Sequence, residues 1–271
     1  MHTLQSLQAK ITNNTPLYFR GILFLTFFGH GLTSLGLSHS GYELHHRIFE
    51  SANFFHWNAD TFLLMQGWWD IFLAVALLSG IAPRVMLPVA LGYLCVIAGT
   101  AYIYYNSRTG SWFGIGEIAR RFAWIFYAIF LILYNHKGEQ RFSLLRVGIS
   151  FAFLSHGFAS LGFFGMRGGQ IELAAQIFPE EFAKTLVFYS GFSDVTLGLL
   201  LFTGIFSRMA ATIGSCWLVI VVILSFILGI PEGIFRSAFF LSCLYVALDT
   251  RCHTTLWGNG IVQKGMEPVI A

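Results

Sequence analysis

The chain has 271 residues, of which 56% are hydrophobic, 17% aromatic and only 11% charged. Soluble domains usually carry about 25% charged residues, so this composition excludes a free globular protein. The net charge is only +3, and the basic residues form no cluster that could follow a phosphate backbone, which excludes nucleic acid as a partner. The composition therefore indicates a multi-pass membrane protein embedded in a lipid bilayer.

Apolar stretches of about 20 residues recur along the chain, each long enough to cross a hydrocarbon core of about 30 Å. They predict an all-α fold with eight transmembrane spans at residues 17–37, 62–82, 85–105, 117–135, 145–165, 185–206, 209–229 and 232–249. Pro83, Pro231 and Gly138 stand at the predicted boundaries, where these residue types favour the start or the end of a helix. The segments 38–61 and 166–184 are predicted to be long loops.

The 16 Lys and Arg residues are distributed unevenly between the two sides of the predicted membrane. Nine fall on the side of the N-terminus, four lie in the opposite loops, and the remaining three lie at the outer ends of the fourth and eighth spans. Because cytoplasmic loops carry the excess of positive charge, both termini are predicted to be cytoplasmic. The polar N-terminal region is too long for the start of a cleaved signal peptide, so the first span is predicted to be an uncleaved anchor.

The sequence repeats itself at two nearly equal offsets. FFGHGLTSLGL at residues 27–37 matches FLSHGFASLGF at residues 153–163, an offset of 126. DIFLAVALLSGIAPR at residues 70–84 matches DVTLGLLLFTGIFSR at residues 194–208, an offset of 124. The pattern indicates an internal duplication with a small length change between the matched segments.

A third match, at offset 115, links the starts of the fourth and eighth spans: Glu117 and Arg121 with Glu232 and Arg236. Each copy then holds four spans, an even number, so both copies enter the membrane in the same direction. We therefore predict two parallel four-helix repeats, residues 1–137 and 138–271, lying side by side.

Both copies share one motif: an Arg opening the first span, an H-G pair near its far end, an acid ahead of a G-[IL]-x-x-R turn, and a Glu opening the fourth span. The residues are Arg20, His30, Gly31, Asp70, Gly80, Arg84 and Glu117, then Arg146, His156, Gly157, Asp194, Gly204, Arg208 and Glu232. Over nearly the whole chain this pattern resembles the DoxX family of small four-helix membrane proteins. It departs from the usual family member, which has a single repeat and more often Glu than Asp in its second span.

The resemblance implies a link to respiratory or sulfur redox chemistry, because one relative is a subunit of a quinone-linked oxidoreductase. It further implies a quinone as the cofactor, a redox partner subunit, and a location in the bacterial cytoplasmic (inner) membrane. These are expectations from the resemblance, since composition and spacing name no substrate.

Charged side chains inside the spans are the candidates for function, because one at mid-bilayer costs about 3 kcal/mol on insertion scales. At 1.5 Å per residue, His30 and Asp70 both lie in the outer half of the membrane. The candidates for catalysis are His30, Asp70, Glu117, Arg121, His156, Asp194, Glu232 and Arg236. Trp68, Trp69 and Phe192 are the candidates for cofactor binding.

Three functions fit these residues. The first is a redox component, such as a quinone-linked oxidoreductase subunit, that handles a quinone or a similar small carrier in the outer half of the membrane. The second is a non-catalytic scaffold or assembly partner whose buried polar residues are interhelical hydrogen-bond partners. The third is bis-histidine haem or metal binding by His30 and His156.

Other polar residues receive simpler interpretations. Four arginines, at positions 20, 84, 146 and 208, are predicted to anchor the spans at the cytoplasmic interface. His45 and His46 offer a metal-binding pair in the first long loop, without a counterpart in the second copy. The four cysteines show no C-x-x-C spacing, and the sequence predicts no metal site.

Overall fold

The computed structural model describes residues 2–52, 58–109, 111–135, 141–163 and 167–253. Every regular element within these ranges is helical, which confirms the all-α prediction. The helices are α1 (His2–Asn13), α2 (Thr15–Leu32), α3 (His39–Ala52), α4 (Ala59–Ser79), α5 (Pro83–Thr109), α6 (Ser111–Ile132), α7 (Arg141–Ser160), α8 (Arg167–Ala175), α9 (Glu180–Thr203), α10 (Ser207–Leu228) and α11 (Ile230–Leu248). A π-helical turn, Thr33–Leu37, extends α2, and a 3-10 turn, Thr250–His253, follows α11.

Six helices of the described chain are long and apolar enough to cross a membrane: α4, α5, α7, α9, α10 and α11. A seventh span results if α2 and α3 are taken together as one bent unit. Every 18-residue window of α6 contains Glu117, Arg120 and Arg121, so this helix is too charged to be recognised by hydropathy alone. The protein is thus an all-α polytopic membrane protein, while the count of eight spans remains a prediction.

Both segments predicted to be long loops contain helices. Helix α3 occupies much of 38–61 and α8 occupies part of 166–184. The ring of Phe49 in α3 stacks on that of Phe62 in α4 at a centroid distance of 3.7 Å, so one side of α3 is held against the bundle. Helices of 14 and 9 residues with one apolar side escape a search for 20-residue apolar windows.

Packing follows the same scheme in both halves, and the halves interlock. Helix α2 packs on α4 as α7 packs on α9, and α5 packs on α6 as α10 packs on α11. Across the halves, α6 packs on α7 and α11 packs on α2, so the four-helix units do not merely lie side by side. Buried Phe19 of α2 contacts Tyr127 of α6 and Tyr245 of α11, with ring centroids 5.2 and 4.8 Å away.

Positive φ angles mark corresponding positions in the two halves. In the described chain, the residues with positive φ are Gly36 and Gly162, Gly80 and Gly204, and Ala82 and Phe206. Each pair obeys the sequence offset of 126 or 124. Ala82 and Phe206 are notable because a left-handed backbone costs a non-glycine residue about 1–2 kcal/mol. This pairing supports the proposal of two repeats, residues 1–137 and 138–271.

Glycines allow the first and second helices of each half to cross at backbone contact. A Cβ atom on Gly31 would lie 2.8 Å from the carbonyl oxygen of Gly67, and one on Gly157 would lie 2.8 Å from that of Gly191. Such distances are shorter than real side chains permit. Small residues at a crossing let two membrane helices gain close van der Waals contact, which is the main source of their association in lipid.

Arg146 is not an interface anchor, because its side chain is fully buried at the carboxyl end of α9. Its guanidinium donates to the carbonyl oxygens of Leu201 and Phe202, and its Nε donates to that of Cys252 at 2.9 Å. The last carbonyls of a helix lack partners within the helix, so a buried cation that caps them is stabilising.

We predict that Gly157→Ala lowers the free energy of unfolding by about 1–3 kcal/mol, because the new methyl group would force α7 and α9 apart. The matched control is Gly92→Ala on α5, where a Cβ atom meets nothing within 4 Å. That variant is expected to be neutral or slightly stabilising, since Ala favours helix over Gly. Thermal unfolding in detergent measures both variants, and equal stability of the two would contradict the close crossing.

We predict a pH dependence of stability from His253, whose Nδ1 lies 2.9 Å from Oγ of Ser207. Burial, followed by the charges of Arg208 and Arg146, lowers the pKa of His253 from 6.5 to about 4. Between these values the unfolded chain binds a proton that the folded protein does not, so acidification destabilises the fold. From pH 7 to pH 5 the loss reaches about 2 kcal/mol.

The His253→Gln variant should lose this part of the pH dependence in unfolding measurements at pH 5 and pH 7. Ser207→Ala, which keeps the imidazole, should retain most of it. An unchanged pH slope in His253→Gln would show that other groups cause the acid sensitivity.

Candidate functional site

His30 of α2 and Asp70 of α4 form a hydrogen-bonded pair, the first dyad. Nδ1 of His30 lies 2.6 Å from Oδ2 of Asp70. The Asp70 side chain is fully buried, whereas that of His30 is 20% exposed. A carboxylate can only accept hydrogen bonds, so Nδ1 carries the proton in this bond. Nε2 of a neutral His30 then carries no proton and can accept a hydrogen bond.

His156 of α7 and Asp194 of α9 form the second dyad with the same atoms. Nδ1 of His156 lies 2.7 Å from Oδ2 of Asp194. Asp194 is again buried, with 3% of its side chain exposed, but His156 is 42% exposed. The structure therefore brings together the two His–Asp pairs that the repeat alignment singled out.

The glycine crossings explain why these side chains meet. His30 precedes Gly31 at its crossing, and Asp70 follows Gly67 by three residues, so both side chains flank the contact. On α4, the buried stripe continues from Gly67 through Asp70 to Leu73, which places the carboxylate on the inward face. The backbone contact is thus the reason that the hydrogen bond is short enough to form.

The second oxygen of each dyad carboxylate has no hydrogen-bond partner within the described chain. Oδ1 of Asp70 and Oδ1 of Asp194 are both buried in this state. The Tyr93 hydroxyl is a hydrogen-bonding and electrostatic neighbour of the Asp70 carboxyl group, although its geometry falls short of a fully formed hydrogen bond. A buried acceptor without a donor costs about 1–3 kcal/mol, so these oxygens favour a ligand or water that donates.

Two of the remaining charged candidates, Glu232 and Arg236, interact with residues of the opposite half. Ser38, at the end of the π-helical turn of the first half, donates to Oε1 of Glu232 on α11. Arg236 has Arg120 and Glu232 as its charged neighbours. Arg121 is a charged neighbour of His45, in the first half. The side chain of Glu117 lies outside the described residues.

His45 and His46 of α3 point in different directions and form no pair. The His45 ring lies 4.6 Å from that of His30, and its Nδ1 lies 3.1 Å from Oγ of Ser34. His46 instead faces Asp60, with Nε2 3.3 Å from Oδ1. Sequence reasoning noted both histidines but did not connect His45 with the first dyad, because α3 had been taken for a loop.

In the part of the chain that the structure describes there is no metal cluster, and His30 and His156 do not form a pair. No three His, Cys, Asp or Glu side chains there are grouped so that they could hold a metal ion. His30 and His156 show no ring contact with each other, and each is bonded to the Asp of its own half. This arrangement gives no support to bis-histidine haem binding.

The aromatic candidates lie on outward faces, away from the dyads. Trp68 is 60% exposed, Trp69 41% and Phe192 53%. Two residues along a helix correspond to a rotation of about 200°, so Trp68 and Phe192 point away from the Asp two positions later. Trp68 and Trp69 instead line a shallow apolar groove on α4 together with Leu64, Met65 and Phe72.

Comparison with known proteins gives one match. The model of the DoxX-like family matches residues 150–239, which begin within α7, end within α11 and contain the second dyad. The match supports the resemblance drawn from the motif, and it does not test the duplication. Neither the curated proteins nor the solved structures gave a match.

We predict that the contact between Ser38 and Glu232 couples the two halves energetically. In a double-mutant cycle of Ser38→Ala and Glu232→Ala, the coupling should reach about 1–2 kcal/mol, as for a hydrogen bond to a charged group. The cycle of Ser38→Ala with Glu172→Ala, an exposed acid on α8, is the control and should be additive. Unfolding in detergent measures both, and additivity in the first cycle would show that the contact contributes nothing.

Proposed function

We propose that this membrane protein of the DoxX type is a redox-associated component that handles a quinone or a similar small carrier at its dyads, in the outer half of the membrane. The observation that carries this proposal is the pair of His–Asp hydrogen bonds, 2.6 and 2.7 Å long, at corresponding positions of the two halves. The quinone itself rests on the family resemblance. The dyads supply the chemistry that such a carrier needs.

A dyad is suited to exchange a proton with a hydroxyl-bearing ligand. With Nδ1–H donating to the carboxylate, Nε2 of the imidazole accepts a hydrogen bond from a ligand hydroxyl and can act as its general base. The carboxylate fixes the tautomer and stabilises the imidazolium that proton transfer forms. The second carboxylate oxygen offers a further acceptor to a reduced carrier, whose hydroxyls are donors.

Charge balance favours the same role. A neutral imidazole beside an ionised Asp leaves one negative charge in a region where charge is costly, whereas the protonated pair is neutral. Proton uptake from a ligand therefore neutralises the dyad, and the ligand is left neutral when its electrons leave as well, as in the oxidation of a quinol to a quinone. If the dyad served only to pack the two helices, a hydrogen bond between two uncharged side chains would stabilise the crossing as well.

The proposal also includes the orientation of the protein in the membrane and a partner subunit. The excess of Lys and Arg on one side supports cytoplasmic termini, which reporter fusions after residue 271 would test. The bacterial inner membrane is what the family resemblance implies. Oxidation of a reduced carrier releases electrons as well as protons. The family resemblance implies a redox partner subunit, and we propose that this subunit takes up the electrons.

A non-catalytic scaffold is the second candidate, and one observation favours it. Each dyad stands at the crossing of two helices, where a hydrogen bond also serves to hold the helices together. For a scaffold, replacing a dyad residue changes stability but no ligand binding. Binding of a small molecule at the dyads therefore distinguishes the redox component from the scaffold.

We predict that the purified protein binds decylubiquinol, and that the double variant Asp70→Asn, Asp194→Asn weakens this binding at least about tenfold, the worth of one hydrogen bond to a charged group. Native mass spectrometry from mild detergent measures bound ligand directly. Glu172→Gln, on the exposed face of α8, is the control and should bind like the unmodified protein. Absence of binding, together with a protein partner retained by the double variant, would favour the scaffold.

A further inference from the structure

The two dyads have different surroundings, although their own geometry is nearly identical. The His156 side chain is 42% exposed and that of His30 is 20% exposed. We propose that a ligand enters the protein at the second dyad, His156–Asp194, while α3 covers the first dyad. This inference rests on the proposed function and adds to it which of the two sites exchanges ligand.

The cover of the first dyad is the imidazole of His45. Its ring lies 4.6 Å from the His30 ring with the planes tilted by 40°, so it occupies one side of His30. The hydrogen-bond distance of 3.1 Å between Nδ1 of His45 and Oγ of Ser34 ties the ring to the π-helical turn. Ser34 itself is buried, so its hydrogen bond holds the His45 ring at a fixed position on the turn.

Helix α3 is also fastened on its other side, so the cover is not a loose loop. The Tyr42 hydroxyl donates to Asp60 at 2.6 Å, and His46 lies 3.3 Å from the same carboxylate. Phe49 stacks on Phe62 of α4 at 3.7 Å. These contacts hold α3 against α4 at two levels and keep His45 over His30.

The second half has a shorter and differently placed outer helix. Ser160, which corresponds to Ser34 at offset 126, donates to Gln170 of α8. Helix α8 has 9 residues against 14 in α3, and it lies along α9, with the Arg167 guanidinium 5.4 Å from the Phe188 ring. An amide thus replaces the imidazole at the serine, and His156 keeps the larger exposed surface.

The difference in exposure between His30 and His156 gives separate roles to the two dyads, although they stand at corresponding positions of the repeat. A small carrier reaches Nε2 of His156 without displacing a helix, whereas access to His30 requires α3 to move. Exchange with the surroundings is therefore expected at the second dyad. The first dyad is expected to bind ligand only after α3 has opened.

Histidine modification by diethyl pyrocarbonate tests this asymmetry without any quinone. The full-length protein in detergent is treated at pH 8, and peptide mass spectrometry gives the modification rate of each histidine. We expect His156 to react at least about twice as fast as His30, following the ratio of their exposed fractions. His45→Ala should raise the rate at His30 to about that of His156 and leave His156 unchanged.

Two further variants keep the test decisive. Leu44→Ala, at the exposed neighbour of His45, is the matched control and should change neither rate. Asp60→Ala removes the acceptor of Tyr42 and His46 from an exposed position, so it should raise the rate at His30 even if His45→Ala folds poorly. Equal rates at His30 and His156, or no response of His30 to either variant, would overturn the inference. A protein with asymmetric rates that binds no quinol would overturn only the proposed function.

Discussion

The backbone contact of Gly31 with Gly67, matched by that of Gly157 with Gly191, is the constraint on which the candidate site depends. At both crossings a Cβ atom would lie within 2.8 Å of a carbonyl oxygen, so no other residue permits the same approach. The His and the Asp that flank each contact are thereby brought to hydrogen-bond distance. In a bilayer, where apolar burial gives helices little reason to associate, this close packing and the adjoining hydrogen bond support each other.

The interlocking of the two halves makes the chain more than two independent bundles. A Cβ atom on Gly29 would lie 3.0 Å from the backbone nitrogen of Phe235, so α2 and α11 also meet closely across the halves. Glu232 of the second half also accepts a hydrogen bond from Ser38 of the first half. Gly29 directly precedes His30, so the surroundings of the first dyad include the opposite half.

Much of this architecture could be predicted from sequence because it depends on local pattern. Apolar length predicts the membrane helices, and self-comparison pairs His30 with His156 and Asp70 with Asp194 before any coordinates are known. The partner of Glu232 could not be predicted, since it depends on how α11 packs on α2 across the halves. Helix α3 was missed because its apolar side is short. The contact of His45 with the first dyad was therefore missed as well.

The prediction for Arg146 was wrong because an Arg near a span end is usually an interface anchor, whereas here it caps buried carbonyls of α9.

Photolabelling with an azidoquinone, followed by peptide mass spectrometry of the full-length protein, shows where a small carrier binds. If it binds at the dyads, we expect labelled peptides from α7 or α9 around His156 and Asp194, and loss of this label in Asp194→Asn. Label confined to the apolar groove of Trp68 and Trp69 on α4, or label unaffected by Asp194→Asn, would show that the dyads do not bind the carrier.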